Sequence, residues 1–162
     1  MSADIPVEMY EPLATAVGYL ILAWGSAENT LGMMITVIYH DLGGKHVERE
    51  IPQNFSRKTK FLRRCFNNIA PLKPYAGEAL LLLGEATRIE KIRTDIVHGY
   101  CADFVPATGK IAFMRLDSEK TIQCAKFGYH TVAELEQAAM ECLDLGSKLS
   151  AVTQRLAEAF VR

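Results

Sequence analysis

The sequence lacks paired cysteines and a strong charge of either sign. Its four cysteines are Cys65, Cys101, Cys124 and Cys142, and no two of them form a C-x-x-C pair. Such spacing favours reduced thiols in the cytoplasm over a disulfide framework or a zinc site. The formal net charge is −1. The chain therefore has no overall positive field, and any binding of nucleic acid must come from a local basic patch.

Long uninterrupted apolar segments are also missing. Residues 12–27 and 29–40 contain no Asp, Glu, Lys or Arg, and Glu28 alone separates them. The first segment is shorter than the ~18 apolar residues that indicate a membrane-spanning helix, and glycines dilute it. This pattern favours a buried helix over a membrane span. Residues 1–6 lack the basic and then apolar order of a signal peptide, so we expect a cytoplasmic protein that does not bind a membrane.

Helical periodicity dominates what is present. Apolar residues recur every three or four positions from about Pro12 to His40, from about Ser56 to Ile69 and from about Tyr75 to His98. Ser56 is the expected N-cap of the second helix. The sequence Thr131–Glu134 is a capping box, and it opens a fourth helix that continues to the C-terminus.

The apolar period changes to two between the third and fourth helices. Over about residues 100–128, Ile111 and Phe113 fall on one face of a predicted strand. Residues 106–109 and 117–120 have the composition of hairpin turns. The segment predicts a two- or three-stranded antiparallel meander that follows the third helix directly.

Length and composition limit the architecture. A chain of 162 residues that is 49% hydrophobic can bury one sizeable core. It is too short for two domains of ordinary size. No internal repeat or low-complexity linker interrupts it. We expect a single helical domain over residues 1–162. Its predicted fold is mostly α, an up-and-down four-helix bundle with a small antiparallel β hairpin or meander between helices three and four.

Arg93 and His98, near the end of the third predicted helix, are the candidate catalytic pair. A guanidinium stays charged and can donate two parallel hydrogen bonds to phosphate oxygens. An imidazole can accept and donate a proton near neutral pH. Five positions on an α-helix turn the two side chains about 140° apart. They meet if the arginine reaches around the helix or, most simply, if two copies share a cleft. The structural alternative pairs Arg93 with Glu90 and leaves His98 as a helix cap.

At these residues the chain resembles the HEPN superfamily, whose mark is an arginine, four to six residues, and a histidine near the end of a bundle helix. The resemblance rests on Arg93 to His98, on the ending Val97-His98-Gly99 and on the predicted helical layout. It implies a homodimeric, metal-independent endoribonuclease with no cofactor, in which Arg93 clamps phosphate and His98 carries the proton. A toxin or defence nuclease is the role that fits this resemblance, with RNA as the substrate and an antitoxin or another protein as a candidate partner. Other members are noncatalytic interaction or scaffold modules, and that alternative stays open.

Glu28 is the first supporting candidate. It lies seven residues after Ile21 and seven before Ile35, on the apolar stripe of the first helix, so its carboxylate should point inward and need a partner. One alternative is that Glu28 orients Arg93 or His98. The other is that Glu28 pairs with a different helix and only fixes packing.

Three further residues adjoin the motif. Thr94 and Asp95 are supporting candidates beside the arginine, although Asp95 has Lys91 available as a simple partner one helical turn away. Tyr100 is a candidate for stacking on a base, with packing in a strand as its alternative.

The second predicted helix carries a dense basic cluster without an acidic residue inside it. Its members are Arg57, Lys58, Lys60, Arg63 and Arg64. Three of them share one helical face, which predicts a track for RNA phosphates, and a solvated or acid-paired surface is the alternative. No ligand spacing indicates a metal site. A small-molecule binder in the bundle core is a third functional class.

Overall fold

A computed structural model describes residues 5–119 and 122–160. Within these residues the chain forms four α-helices and one three-stranded antiparallel sheet. The helices are α1 (Tyr10–Asp41), α2 (Phe55–Asn68), α3 (Ala76–Val97) and α4 (Val132–Phe160). The strands are β1 (Tyr100–Val105), β2 (Lys110–Glu119) and β3 (Ile122–His130). The expected mostly-α chain with an antiparallel sheet between α3 and α4 is confirmed.

Tertiary contacts divide the described residues into two compact units. The sheet unit comprises residues 5–24, 88–119 and 122–141, and it contains all three strands. The α2 unit comprises residues 25–87 and 142–160. Helices α1, α3 and α4 contribute segments to both units.

The sheet has the strand order β1-β2-β3. The pairs Ile111↔His130 and Phe113↔Gly128 set the register between β2 and β3. Because side chains alternate along a strand, residues 111, 113, 115 and 117 of β2 share one face with residues 124, 126, 128 and 130 of β3. This inner face carries the buried Ile111 and Phe113. The opposite, outer face carries Met114 and Leu116.

One of the two expected turns is correct. β1 ends at Val105, whose carbonyl accepts from Thr108 N and Gly109 N at 3.1 and 2.9 Å, and Gly109 has the positive φ of 65° that favours glycine. The second expected turn, residues 117–120, is wrong. Asp117 continues β2 because it pairs across the sheet with Cys124. Residue 120 lies outside the described residues.

Local capping sets the starts of two helices. Before α4, Thr131 N donates to Glu134 Oε2 at 2.8 Å, and Glu134 N donates to Thr131 Oγ1 at 3.0 Å. The predicted capping box is therefore confirmed. The N-cap of α2 is Asn54 rather than Ser56, because the Asn54 side chain accepts from Arg57 N at 2.9 Å.

The α2 unit buries the apolar stripe of α2, including Phe61, Cys65 and Phe66. Burial raises the pKa of the Cys65 thiol to about 12 and that of Cys142 to about 11. Gly44 is required by close approach, since a Cβ there would lie 2.8 Å from the Ile38 carbonyl oxygen. These thiols are packing residues.

The N-terminal helix passes a simple test for a membrane span. Residues 7–41 are long and apolar enough to cross a bilayer by length and composition alone. In the 18-residue segment of this helix that meets the test, 39% is buried inside the protein. Core helices of soluble proteins pass the same test, so this finding is weak support for a span.

Candidate functional site

Arg93 lies near the C-terminal end of α3 with its side chain half-buried. Its Nε is fully buried and has no hydrogen-bond partner within residues 5–119 and 122–160. The expected alternative partner, Glu90, instead accepts from Thr94 Oγ1 at 2.7 Å. A buried donor left without an acceptor costs about 1–3 kcal/mol. Arg115 Nε is a second buried donor without a hydrogen-bond acceptor among these residues.

His98 is the first residue after α3, and its side chain is exposed. Its backbone N donates to the Thr94 carbonyl oxygen at 3.1 Å, which extends the helical hydrogen bonding by one residue. The imidazole is therefore held at a helix end and open to a substrate from solvent. The end of α3 thus carries a guanidinium whose Nε has no acceptor among the described residues, and an accessible imidazole.

Asp95 is the buried member of the motif, with 7% of its surface exposed. His130 Nε2 lies 3.3 Å from its Oδ2, and Arg115 Nε lies 3.5 Å from its Oδ1. The expected pairing with Lys91 is wrong, because the carboxylate is turned toward the inner face of the sheet. A buried carboxylate is tolerated when such partners compensate its lost hydration.

The ion pairs continue along the sheet. Arg115 Nη1 lies 3.3 Å from Asp117 Oδ1, and Lys126 Nζ lies 3.1 Å from Asp117 Oδ2. We call His130, Asp95, Arg115, Asp117 and Lys126 the carboxylate network. It ties the end of α3 to two strands, so it fixes the position of the segment that carries Arg93 and His98.

Two glycines allow the sheet to approach Asp95 this closely. A Cβ on Gly128 would lie 2.4 Å from Asp95 Oδ2, and a Cβ on Gly99 would lie 2.2 Å from the Asp95 carbonyl oxygen. Neither glycine has a positive φ. Both positions therefore require glycine for space and not for a special backbone conformation.

An open cavity of about 460 Å³ adjoins the carboxylate network. The His130 ring forms part of its wall, and an ion pair between Arg88 and Glu141 forms another part. Hydrogen bonds from Gln137 and Arg88 lower the pKa of Glu141. The backbone N–H of Thr131 lowers the pKa of Glu134, which also lines this cavity. The charged groups of this wall are therefore largely paired within the protein.

Sequence reasoning missed Arg115 and His130. Arg115 lies two positions after the buried Phe113, on the same face of β2. That spacing is the signal that could have found it, because a charged group on a covered face needs a partner. His130 is brought to this face by its pairing with Ile111, which depends on strand register.

Glu28 forms its ion pair with Lys58, whose Nζ lies 3.0 Å from Glu28 Oε1. This ion pair links α1 to α2, as the packing alternative predicts. The side chain of Lys58 is only 17% exposed. Its ammonium is therefore engaged with Glu28 and poorly placed for RNA.

The remaining basic residues of α2 line an open cavity of about 480 Å³ together with Glu48. Glu48 pairs with Arg57, and Arg64 Nη1 lies 3.9 Å from it. In the described part of the chain, Lys60 and Arg63 form no ion pair. Lys60 and Arg63 are thus available to bind phosphate. Arg57 and Arg64 interact with Glu48, which precedes α2 in the sequence.

Tyr100 begins β1, and its side chain is 54% exposed. Its pairing with Met114 places it on the outer face of the sheet, away from the carboxylate network. The phenolic hydroxyl donates to Met114 Sδ at 3.6 Å. Tyr100 is therefore on the surface, two residues beyond His98.

Comparisons with family models, with curated proteins and with solved structures found no match to this chain. Over residues 5–119 and 122–160, no group of three His, Cys, Asp or Glu side chains is placed to hold a metal ion. The geometry at the end of α3 is accordingly the main basis for a functional proposal.

Proposed function

We propose that this protein is a metal-independent endoribonuclease of the HEPN type, active as a cytoplasmic homodimer. The proposal includes the up-and-down four-helix arrangement of that superfamily for α1 to α4. One observation carries it: among the described residues, Arg93 keeps a buried Nε without a hydrogen-bond acceptor, close in sequence to the exposed imidazole of His98. A half-buried guanidinium that lacks an acceptor suits an oxyanion, and phosphate is the anion it recognises best.

The proposed reaction uses the 2′-hydroxyl of RNA as nucleophile. His98 takes the proton of this hydroxyl, the O2′–P bond forms, and the P–O5′ bond breaks. A protonated His98 then supplies the proton that O5′ needs on leaving. Arg93 stabilises the charge that builds on the nonbridging oxygens. The products are a 2′,3′-cyclic phosphate and a 5′-hydroxyl, and DNA is resistant because it lacks the nucleophile.

The carboxylate network has a positioning role in this proposal. Arg93 and His98 flank Asp95 in sequence, and Asp95 is held by Arg115 and His130. A site of this kind requires its groups to stay in place, because small displacements slow the reaction strongly. Lys60 and Arg63 would contribute phosphate contacts and make binding depend on salt.

The test is cleavage of mixed single-stranded RNA by the purified protein in EDTA. We expect cleavage by the wild type and a loss of about 10²–10⁴-fold in His98→Ala. Arg93→Lys should also be strongly impaired, because lysine keeps the charge and loses the fork. His46→Ala removes another exposed histidine and should be unaffected. A 2′-deoxy substitution at the cleaved nucleotide should block the reaction.

Cleavage that persists when Arg93 and His98 are both alanine contradicts this mechanism. A second candidate function is a noncatalytic interaction module that binds an antitoxin or another protein. The exposed apolar outer face of the sheet favours it. No cleavage by the wild type, combined with a lower melting temperature in His98→Ala, would select this second function.

A further inference from the structure

The outer face of the sheet presents a row of large side chains across all three strands. Tyr100 pairs with Met114, and Met114 pairs with Phe127, so these three residues lie side by side. Leu116 and Ala125 extend the row in one direction, and Tyr129 extends it in the other, beside the buried Ala112. The rings of Phe127 and Tyr129 lie 6.3 Å apart and are nearly parallel, at 23°. The result is one continuous apolar surface.

This surface is exposed to an unusual degree for apolar side chains. The exposed fractions are 54% for Tyr100, 61% for Leu116, 50% for Phe127 and 50% for Tyr129. With roughly 200 Å² for each whole side chain, these four residues expose about 400–500 Å². That area equals the largest apolar patch of an ordinary monomer. It is more than half of the ~800 Å² per partner that a stable protein interface covers.

The charge of the outer face indicates what covers it. Among the described strand residues, the one basic side chain on this face is Lys110, and its Nζ lies 3.7 Å from Glu134 Oε1. Arg115 and Lys126 belong to the inner face. A nucleic acid binds mainly through cations that neutralise its phosphates, and this face offers none that is unpaired. Tyrosine, phenylalanine and methionine without charge are typical of the centre of a protein interface.

We propose that the outer face is the contact between two copies of this chain, related by a twofold axis. In such a contact the same patch faces itself. Its two charged side chains among the described strand residues, Lys110 and the exposed Asp103, are opposite in sign, so the patch has no net charge and two copies meet no net repulsion. Tyr100 follows His98 by two residues, so the contact begins close in the chain to the exposed imidazole. Its link to catalysis rests on the proposed function, in which two copies act together. The contact itself is independent of catalysis.

The test measures the mass of the full chain by sedimentation over a range of concentrations, without RNA. We expect a dimer for the wild type. Leu116→Glu places a charge on each half of the interface, and the dissociation constant should rise at least about 100-fold. The matched control is Leu81→Glu, which changes an exposed leucine of α3 and should remain dimeric. Circular dichroism of both variants checks that the fold is retained.

A monomeric wild type, or a Leu116→Glu variant that stays dimeric, overturns the proposal. Loss of RNA binding in Phe127→Ala with an unchanged mass would instead identify the face as a platform for bases. The two proposals fail separately. A dimer that depends on Leu116 but cleaves no RNA refutes only the nuclease, and cleavage that needs His98 in a protein indifferent to Leu116→Glu refutes only the interface.

Discussion

Replacing Gly128 by alanine tests the packing around the motif most directly. The new Cβ would lie 2.4 Å from Asp95 Oδ2, 2.6 Å from Cγ and 2.7 Å from Cβ, all closer than real contacts allow. The carboxylate cannot simply rotate away, because His130 and Arg115 hold it. Overpacking of this kind costs about 1–3 kcal/mol. Separation of a buried ion pair costs roughly 3–5 kcal/mol, so we expect about 3 kcal/mol for Gly128→Ala.

The assay is urea unfolding followed by circular dichroism, with the thermal midpoint as a second measure. A loss of this size lowers the melting temperature of a chain of this length by roughly 6–12 °C. Gly84→Ala is the matched control, since nothing lies within 4 Å of a Cβ at that exposed helical position. It should raise the free energy of unfolding by about 0.5–1 kcal/mol through helix propensity.

A double-mutant cycle identifies the cause of the effect. Asp95→Ala removes the two closest atoms and leaves the Cβ contact at 2.7 Å. Gly128→Ala should therefore cost at least ~1 kcal/mol less in that background than in the wild type. If the cost is the same in both backgrounds, or if Gly128→Ala is as stable as the wild type, the account of the carboxylate network is incorrect.

Three other measurements check separate parts of the structure. Thr131→Ala removes half of the capping box and should lower the free energy of unfolding by about 1 kcal/mol in urea; Thr131→Ser should retain it. Burial raises the thiol pKa values of Cys65 and Cys142 above the ordinary 9.0, so the folded state keeps protons that the unfolded state loses as pH rises. Stability should fall by roughly 1 kcal/mol per thiol between pH 8 and 10, and a Cys65→Ala variant with the same slope as the wild type would contradict this. Replacing Lys60 and Arg63 by alanine should weaken RNA binding and reduce its salt slope by about 2, and an unchanged slope would remove them from the RNA surface.

The parts of the fold that depend on neighbouring residues were predictable. The capping box at Thr131 is complete in the sequence, because both of its hydrogen bonds join residues three apart. The four helices and the inserted strands follow from apolar periods of 3.6 and 2. The sequence predicts the N-cap of α2 at Ser56, two residues later than the observed Asn54. Both residue types are good caps, and only the backbone angles decide between them.

The partners of the charged residues could not be predicted in the same way. Asp95 pairs with residues 20 and 35 positions away, and such pairs depend on strand register and on how the sheet meets the helix. Glu28 and Lys58 show the same limit, because each lies on a different helix. Sequence spacing can predict that a carboxylate is buried and therefore needs a cationic partner. Only the tertiary structure identifies that partner.

Helix ends ordinarily fray, so a reactive group just beyond one would be expected to fluctuate. Here Asp95 holds the last turn of α3 against the sheet through Arg115 and His130. The backbone around Arg93 and His98 therefore cannot unwind unless these contacts break. The amide of His98 should accordingly exchange its hydrogen as slowly as the amides at the centre of β2. Melting of the helix end and opening of the strands then form one cooperative event, and weakening the sheet would disable the motif without touching it.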